Sequence, residues 1–303
     1  VTLFTSCSKS DRKEFEYSGG SIRMALEYEM ATNVPRDVLD YYSAKVLTQI
    51  TEGLVGFNPE SLKIEPRLAE SWTKSDDGLS YTFTLRNDVF FHPHELFSGK
   101  NDRKMTTEDV LKTFEMACSK KEDGSAPHSY SSIFKSLLKG ADDYFDGKAK
   151  TISGITIKEQ DITLELIHED QNFLNKLTSV TMSIMSKKVI ESGKEKEFII
   201  GTGPFKYTEY KGGEQPELIL TKNEDYYDVD EEGNALPYLD SLVFIFQSRK
   251  LEQLDLFEEG KLDLIIELPT SRITRMLEGR IEDFNSKPPK LVLSNNPLLI
   301  SHF

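Results

Sequence analysis

Residues 198–228 read FIIGTGPFKYTEYKGGEQPELILTKNEDYYD, and the fold turns on how this stretch is taken. Gly201, Gly203 and Pro204 fall within four positions. Proline fixes φ and removes a donor, and glycine opens backbone angles closed to other residues, so the chain bends just before the strand-like run 205–210. Gly212 and Gly213 supply a second turn. Leu218 and Leu220 then open another strand, and the pair reads as a hairpin. NEDYYD (223–228) is polar and aromatic and is expected to form a loop at a domain edge. Alone, GTGPF is no more than a tight turn.

Downstream, LVFIF (242–246), a helix over 249–260 and LDLII (262–266) make a β-α-β unit, which calls for parallel strands. Upstream, ISGITIKEQDITLEL (152–166) is two alternating strands joined at Glu159–Asp161. HEDQNFLNKLTS then starts a helix with Phe173, Leu174 and Leu177 on one side. A short apolar strand over 182–185 and a surface helix over 187–194 lead into the central stretch.

In the first half, Ile22, Met24 and Leu26 alternate as a strand, and Pro35 breaks the segment that follows. The spacing of Val46, Leu47 and Ile50 predicts a helix over 41–53 stopped by Gly53. From Leu54 to Phe91 the pattern is β, with turns at Asn58-Pro59 and Asp77-Gly78 and a clean alternation of Tyr81, Phe83 and Leu85. Trp72, the single tryptophan, is expected to pack. Thr106 or Thr107 caps a helix over 108–119, and Cys118 lies on its apolar face as a small buried residue. A further helix is expected over 128–139. No internal repeat or low-complexity stretch is present.

The chain has 303 residues and a net charge of −14. That length supports one large or two ordinary domains. The acidic balance argues against nucleic acid, whose phosphates demand a basic surface. No apolar run approaches the length of a membrane span. His92, His94 and Glu95 form H-x-H-E, which suits a metal only with a further ligand. Pro93 and the charged loop beyond point instead to an exposed turn, so no metal or cofactor is expected. No H-E-x-x-H, G-x-S-x-G or P-loop pattern occurs, and no nucleophile, base and oxyanion donor assemble, so an enzyme is not expected. A hydrolase would need its catalytic groups beyond residue 303.

The stretch 201–228 resembles the signature region of the family 5 extracellular solute-binding proteins, the oligopeptide and dipeptide receptors of ABC importers. Other stretches match in the family's order: GGSIRMALEYE (19–29), SAKVLTQITEGLVGFNPESLKIEPRLAESW (43–72), DGLSYTFTLRNDVFFH (77–92), TTEDVLKTFEMAC (106–118), and LPYLDSLVFIF (236–246) followed by LDLFEEGKLDLI (254–265). The loop 92–105 is longer and more charged than the family's usual turn. The resemblance implies an α/β, periplasmic-binding-protein-like two-lobe fold (class II, the large peptide-binding type). Lobe I would combine 19–45 with 167–245, an inserted α/β subdomain would occupy 46–166, and an incomplete second lobe would start at 246. NNPLLISHF (295–303) looks like the interior of such a protein.

The resemblance also implies function: capture of peptides in an interdomain cleft and delivery to an ABC permease, by a receptor that is monomeric. Glu27, Tyr28 and Glu29 stand where the first strand ends, the position that faces the cleft in the family. They are the first candidate ligand contacts, with a carboxylate available to a peptide amine. Gly203 follows, because a missing Cβ allows close approach. The alternatives are a different solute (nickel, haem or a glycan) or a structural lipoprotein without ligand. Thr5, Ser6 and Cys7 end an apolar stretch like a bacterial lipoprotein signal, so Cys7 is expected to carry a lipid anchor on the extracytoplasmic side of a membrane. Residues 8–18 would be the tether.

Overall fold

The two most distant parts of the chain pair first: β1 (Ser21–Leu26) lies parallel to β10 (Ser241–Phe246), with Met24 opposite Phe244. The computed structural model describes residues 18–58, 61–266, 272, 274 and 278–286. The expectations for Cys7, the tether up to residue 17, Pro59 and 295–303 lie outside the described residues. β10 pairs antiparallel with β9 (Glu217–Lys222), and β9 with β8 (Phe205–Lys211), giving the order β1-β10-β9-β8. The hairpin read from Gly212-Gly213 is therefore present.

Around β10 both faces of this sheet are covered, which is why that strand reads as an unbroken apolar run, whereas β8 is exposed from Tyr207 onward. Leu242, Phe244 and Phe246 join Met24, Leu26, Phe205, Leu218 and Leu220 on one face. Val46 and Ile50 of α1 (Tyr41–Ile50) cover that face. Ala25 and Ile245 point the other way, against Leu262 and Phe257. The helix expected over 249–260 forms over Lys250–Glu258. Among the described residues the expected strand 262–266 shrinks to one parallel bridge, Leu264 with Met24 on the free side of β1. The parallel direction is as the β-α-β pattern required.

A second, wholly antiparallel sheet has the order β4 (Ala69–Lys74), β5 (Ser80–Leu85), β7 (Asp161–Glu165), β6 (Ile155–Lys158). Tyr81, Phe83 and Leu85 face inward with Ile162 and Leu164, against Val110 and Phe114 of α2 (Thr107–Ala117). The outward face is polar, with Thr82 and Thr163 hydroxyls 2.9 Å apart across the strands. Thr106 and Asp109 close α2 as a capping box, satisfying donors that a helix start leaves open. Trp72 packs on this core, and Cys118 is buried in it with its thiol pushed up by loss of water. Phe173, Leu177, Met182, Ile184, Met185 and Val189 belong to the same core. A short ribbon, β2 (Val55–Phe57) with β3 (Ile64–Pro66), precedes the sheet.

Three local expectations are corrected. α1 ends at Ile50 rather than at Gly53: Thr51 is extended, and its N–H and hydroxyl both donate to the Leu47 carbonyl, at 2.7 and 2.9 Å. Residues 128–139 form a single wide turn, Tyr130–Phe134, with Lys135 N–H reaching back to Tyr130 O at 2.8 Å. The next helix is Ala141–Phe145. The strand expected over 182–185 does not form: residues 180–182 make a tight helical turn, and beyond it the Ile184 N–H bonds the Glu52 carbonyl at 2.8 Å.

Candidate functional site

The GTGP bend is a junction in which polar groups from four parts of the chain converge. Gly203 N–H donates to the Ile50 carbonyl at 2.8 Å, occupying one of the acceptors that the end of α1 leaves open. Gly201 exchanges backbone contacts with His92: His92 N–H donates to Gly201 O at 2.8 Å, and Gly201 N–H donates to His92 Nδ1 at 3.3 Å. The other ring nitrogen, Nε2, lies 2.9 Å from Gly203 O. Since Nδ1 accepts, the neutral ring carries its proton on Nε2 and donates it to Gly203. Asn223 completes the junction, its side chain donating to Gly203 O at 3.0 Å and its N–H to Pro204 O at 2.8 Å.

His92 is thus 2% exposed and not part of an exposed turn. Burial lowers it to about 4, with Lys206 and Arg103 adding to the shift and the bond to Gly203 opposing it. His94 packs its ring on Phe198 at 4.5 Å, and Glu95 is exposed. The H-x-H-E residues therefore do not converge. NEDYYD is likewise no edge loop: Asn223, Tyr226 and Tyr227 are buried. Asp225 pairs with Arg103 at 2.9 Å, which anchors the long loop 92–105.

Glu52 binds the junction from below. Thr202 donates to one carboxylate oxygen at 2.9 Å, and Tyr226 and Tyr227 donate to the other at 2.9 and 3.0 Å. Loss of water pushes this carboxyl up to about 7, although the three hydroxyls and Arg67 pull it down. Sequence reading passed over Glu52, since nothing in TEGL marks a carboxylate with three distant hydroxyl partners.

The side of Gly203 that lacks a Cβ faces this junction. A Cβ there would lie 2.7 Å from Ile50 C and 2.8 Å from Gln49 O, and one on Gly201 would lie 2.0 Å from Ile50 O. The close approach that glycine permits is made by α1.

Glu27, Tyr28 and Glu29 do come together at the end of β1, where each meets a tyrosine. Tyr42 OH donates to Glu27 at 3.2 Å, and the Tyr28 ring stands edge-on to Tyr42 at 5.2 Å. Tyr210 OH donates to Glu29 Oε2 at 2.8 Å. Tyr28 is 57% exposed. A cavity of about 420 Å³ opens beside Glu29, between residues 29–33 and the β8–β9 hairpin. Tyr42 and Tyr210 were not foreseen, because each reaches its partner only through the tertiary fold.

The sequence profile described as Bacterial extracellular solute-binding proteins, family 5 Middle, matches residues 63–294. The chain belongs to this family. Family 5 is extracytoplasmic and solute-binding, and two curated relatives show its range. Di/tripeptide-binding protein 4 of Pseudomonas aeruginosa (strain UCBPP-PA14) is 33% identical over 63% of this chain and 34% of its own length. Heme-binding protein A of Haemophilus influenzae is 31% identical over 58% of this chain and 32% of its own. Among solved structures, a periplasmic oligopeptide-binding protein of Borrelia burgdorferi aligns with a TM-score of 0.72 and 26% identity. It covers 84% of this chain and 49% of that one. The family 5 chain thus spans about a third of these curated relatives and half of the solved one, with the α/β binding-protein fold expected from its sequence.

Proposed function

We propose that this family 5 chain is the ligand-capturing part of a receptor that binds peptides outside the cytoplasmic membrane and passes them to an ABC permease, without catalysis. The observation that carries the reading is the carboxylate-bearing stretch Glu27–Glu29 at the C-terminal end of β1. β1 is a parallel neighbour of β10, and open α/β sheets bind ligands at the carboxyl ends of their parallel strands. Glu27 and Tyr28 are proposed contacts along with Glu29, whereas Gly203 is assigned to the junction with α1. Hydrogen bonds to an extended peptide backbone would tolerate varied side chains.

The proposed organisation keeps β1 and β8–β10 in a lobe core drawn from 19–45 and 167–245. β4–β7 lie in an insertion over 46–166, and a second lobe begins at 246. Packing crosses these limits, since Val46 and Ile50 lie against the first sheet and the apolar side chains of 173–189 pack with the second. Cys7 is proposed to carry the lipid anchor, and the receptor to act as a monomer. The likeness to a haem-binding protein makes a non-peptide solute the second reading. Mass spectrometry of what co-purifies with the whole receptor separates the two: peptides support the proposal, while haem or another solute in their place refutes it. A receptor that carries nothing and gains no thermal stability from any peptide pool would be a structural lipoprotein.

A further inference from the structure

We propose that the cavity beside Glu29 is a subsite for a cationic side chain of the bound peptide, a lysine or an arginine; this rests on the peptide reading above. The cavity, about 420 Å³, is open to solvent and falls within the roughly 300–1,000 Å³ typical of small-ligand sites. Its walls are apolar at Met30, Ile199, Leu218 and Phe246, and among the described residues Glu29 is the single charged one in the lining.

A fault in β8 shapes the site. Tyr207 pairs with Leu220 and Glu209 with Ile219, so Thr208 is an extra residue in the strand. Side chains alternate along a strand, and a bulge of one residue resets that alternation. Tyr207 and Tyr210, three apart, consequently both line the cavity, and both are large aromatic residues left exposed, at 38% and 44%. Tyr210 holds Glu29 by Oε2, and Oε1 takes no hydrogen bond from any described residue.

Such a site suits a group with a long apolar stem and a cationic end. Methylenes cover the apolar wall and the tyrosine faces while the charge stays at the mouth. A charge-assisted hydrogen bond then forms to the open oxygen of Glu29, supplemented by the π-faces of the tyrosines. An acidic side chain would be repelled. A neutral apolar one would strip water from Glu29 without replacing it.

The test uses the whole receptor and tripeptides that carry lysine, norleucine or glutamate at each position in turn, titrated calorimetrically. Norleucine matches the lysine stem and keeps the peptide amine, so any difference belongs to the side-chain charge. At one position lysine should bind about tenfold more tightly than norleucine, and glutamate more weakly than both. In Glu29→Gln that gap should close, because lysine peptides lose more affinity than norleucine peptides do. Tyr210→Phe, which releases Glu29, should narrow the gap in the same direction. Equal binding of lysine and norleucine at every position would overturn the subsite and leave the peptide reading standing. A gap that survives in Glu29→Gln would do the same. If no peptide bound at all, both would fall.

Discussion

Gly203 hands its backbone N–H to the carbonyl of Ile50 at 2.8 Å, so the last turn of α1 is closed by the bend that opens β8. The fit leaves no room for a side chain. Gly201→Ala would place a Cβ 2.0 Å from Ile50 O, and Gly203→Ala one 2.7 Å from Ile50 C, against backbone in both cases. Each should destabilise the protein by on the order of 3 kcal/mol, the range of overpacking with displacement of a buried backbone. Gly212→Ala meets only a Tyr210 ring carbon at 3.8 Å and should stay within about 1 kcal/mol. Urea denaturation of the three variants decides between them.

Glu52 and His92 flank Thr202 and should pull the pH profile in opposite directions. Glu52 titrates near 7 in the folded protein against an ordinary 4.5. The folded state therefore keeps a proton that the unfolded chain has lost, and stability drains away as pH rises through that window. His92 titrates near 4 against an ordinary 6.5. There the unfolded chain takes the proton first, and stability is lost as pH falls through the window. Relative to the parent protein, Glu52→Gln should gain stability as pH is raised from about 5 to 7.5, by on the order of 2 kcal/mol. His92→Gln should gain relative stability as pH is lowered from about 6.5 to 4. Thermal midpoints across pH would show the two opposite slopes, and parallel slopes would contradict them.

Arg103 is the tie that turns an unusually charged loop into part of the junction. It donates to Phe91 O at 2.8 Å and to Asp225 at 2.9 Å, and both charged side chains are nearly buried. Removing Arg103 takes a nearly buried cation away from Asp225, which keeps Lys100 at 2.9 Å, so Arg103→Ala should cost about 2 kcal/mol. Arg103→Ala combined with Asp225→Asn should recover part of that loss, because the nearly buried carboxylate that Arg103 balanced is then neutral. Chemical denaturation of the two variants measures the difference.

What could be read from the sequence follows the range over which each signal acts. Alternation placed Tyr81, Phe83 and Leu85 inward, and the unbroken run LVFIF matched a strand buried on both faces. The Thr106 cap was legible because its partner Asp109 is three residues away. His92, Glu52 and the tyrosines of NEDYYD were misread or passed over, since their partners are far along the chain and polar residues near turns default to solvent. At the candidate site, the carboxylates at the end of β1 were legible, but Tyr210 was not. Strict alternation sets it on the face opposite Tyr207, and only the bulge at Thr208 brings the two together.

The end of β1 is proposed to be the wall of a peptide site. Native mass spectrometry bears on it most directly: the whole receptor is unfolded to strip bound ligand, refolded, and offered a mixed di- to pentapeptide pool. The predicted result is a set of complexes whose added masses match peptides, depleted when Glu27 and Glu29 are both changed to glutamine. A receptor that refolds and retains no peptide, or retains the same peptides undiminished in the double variant, would contradict it.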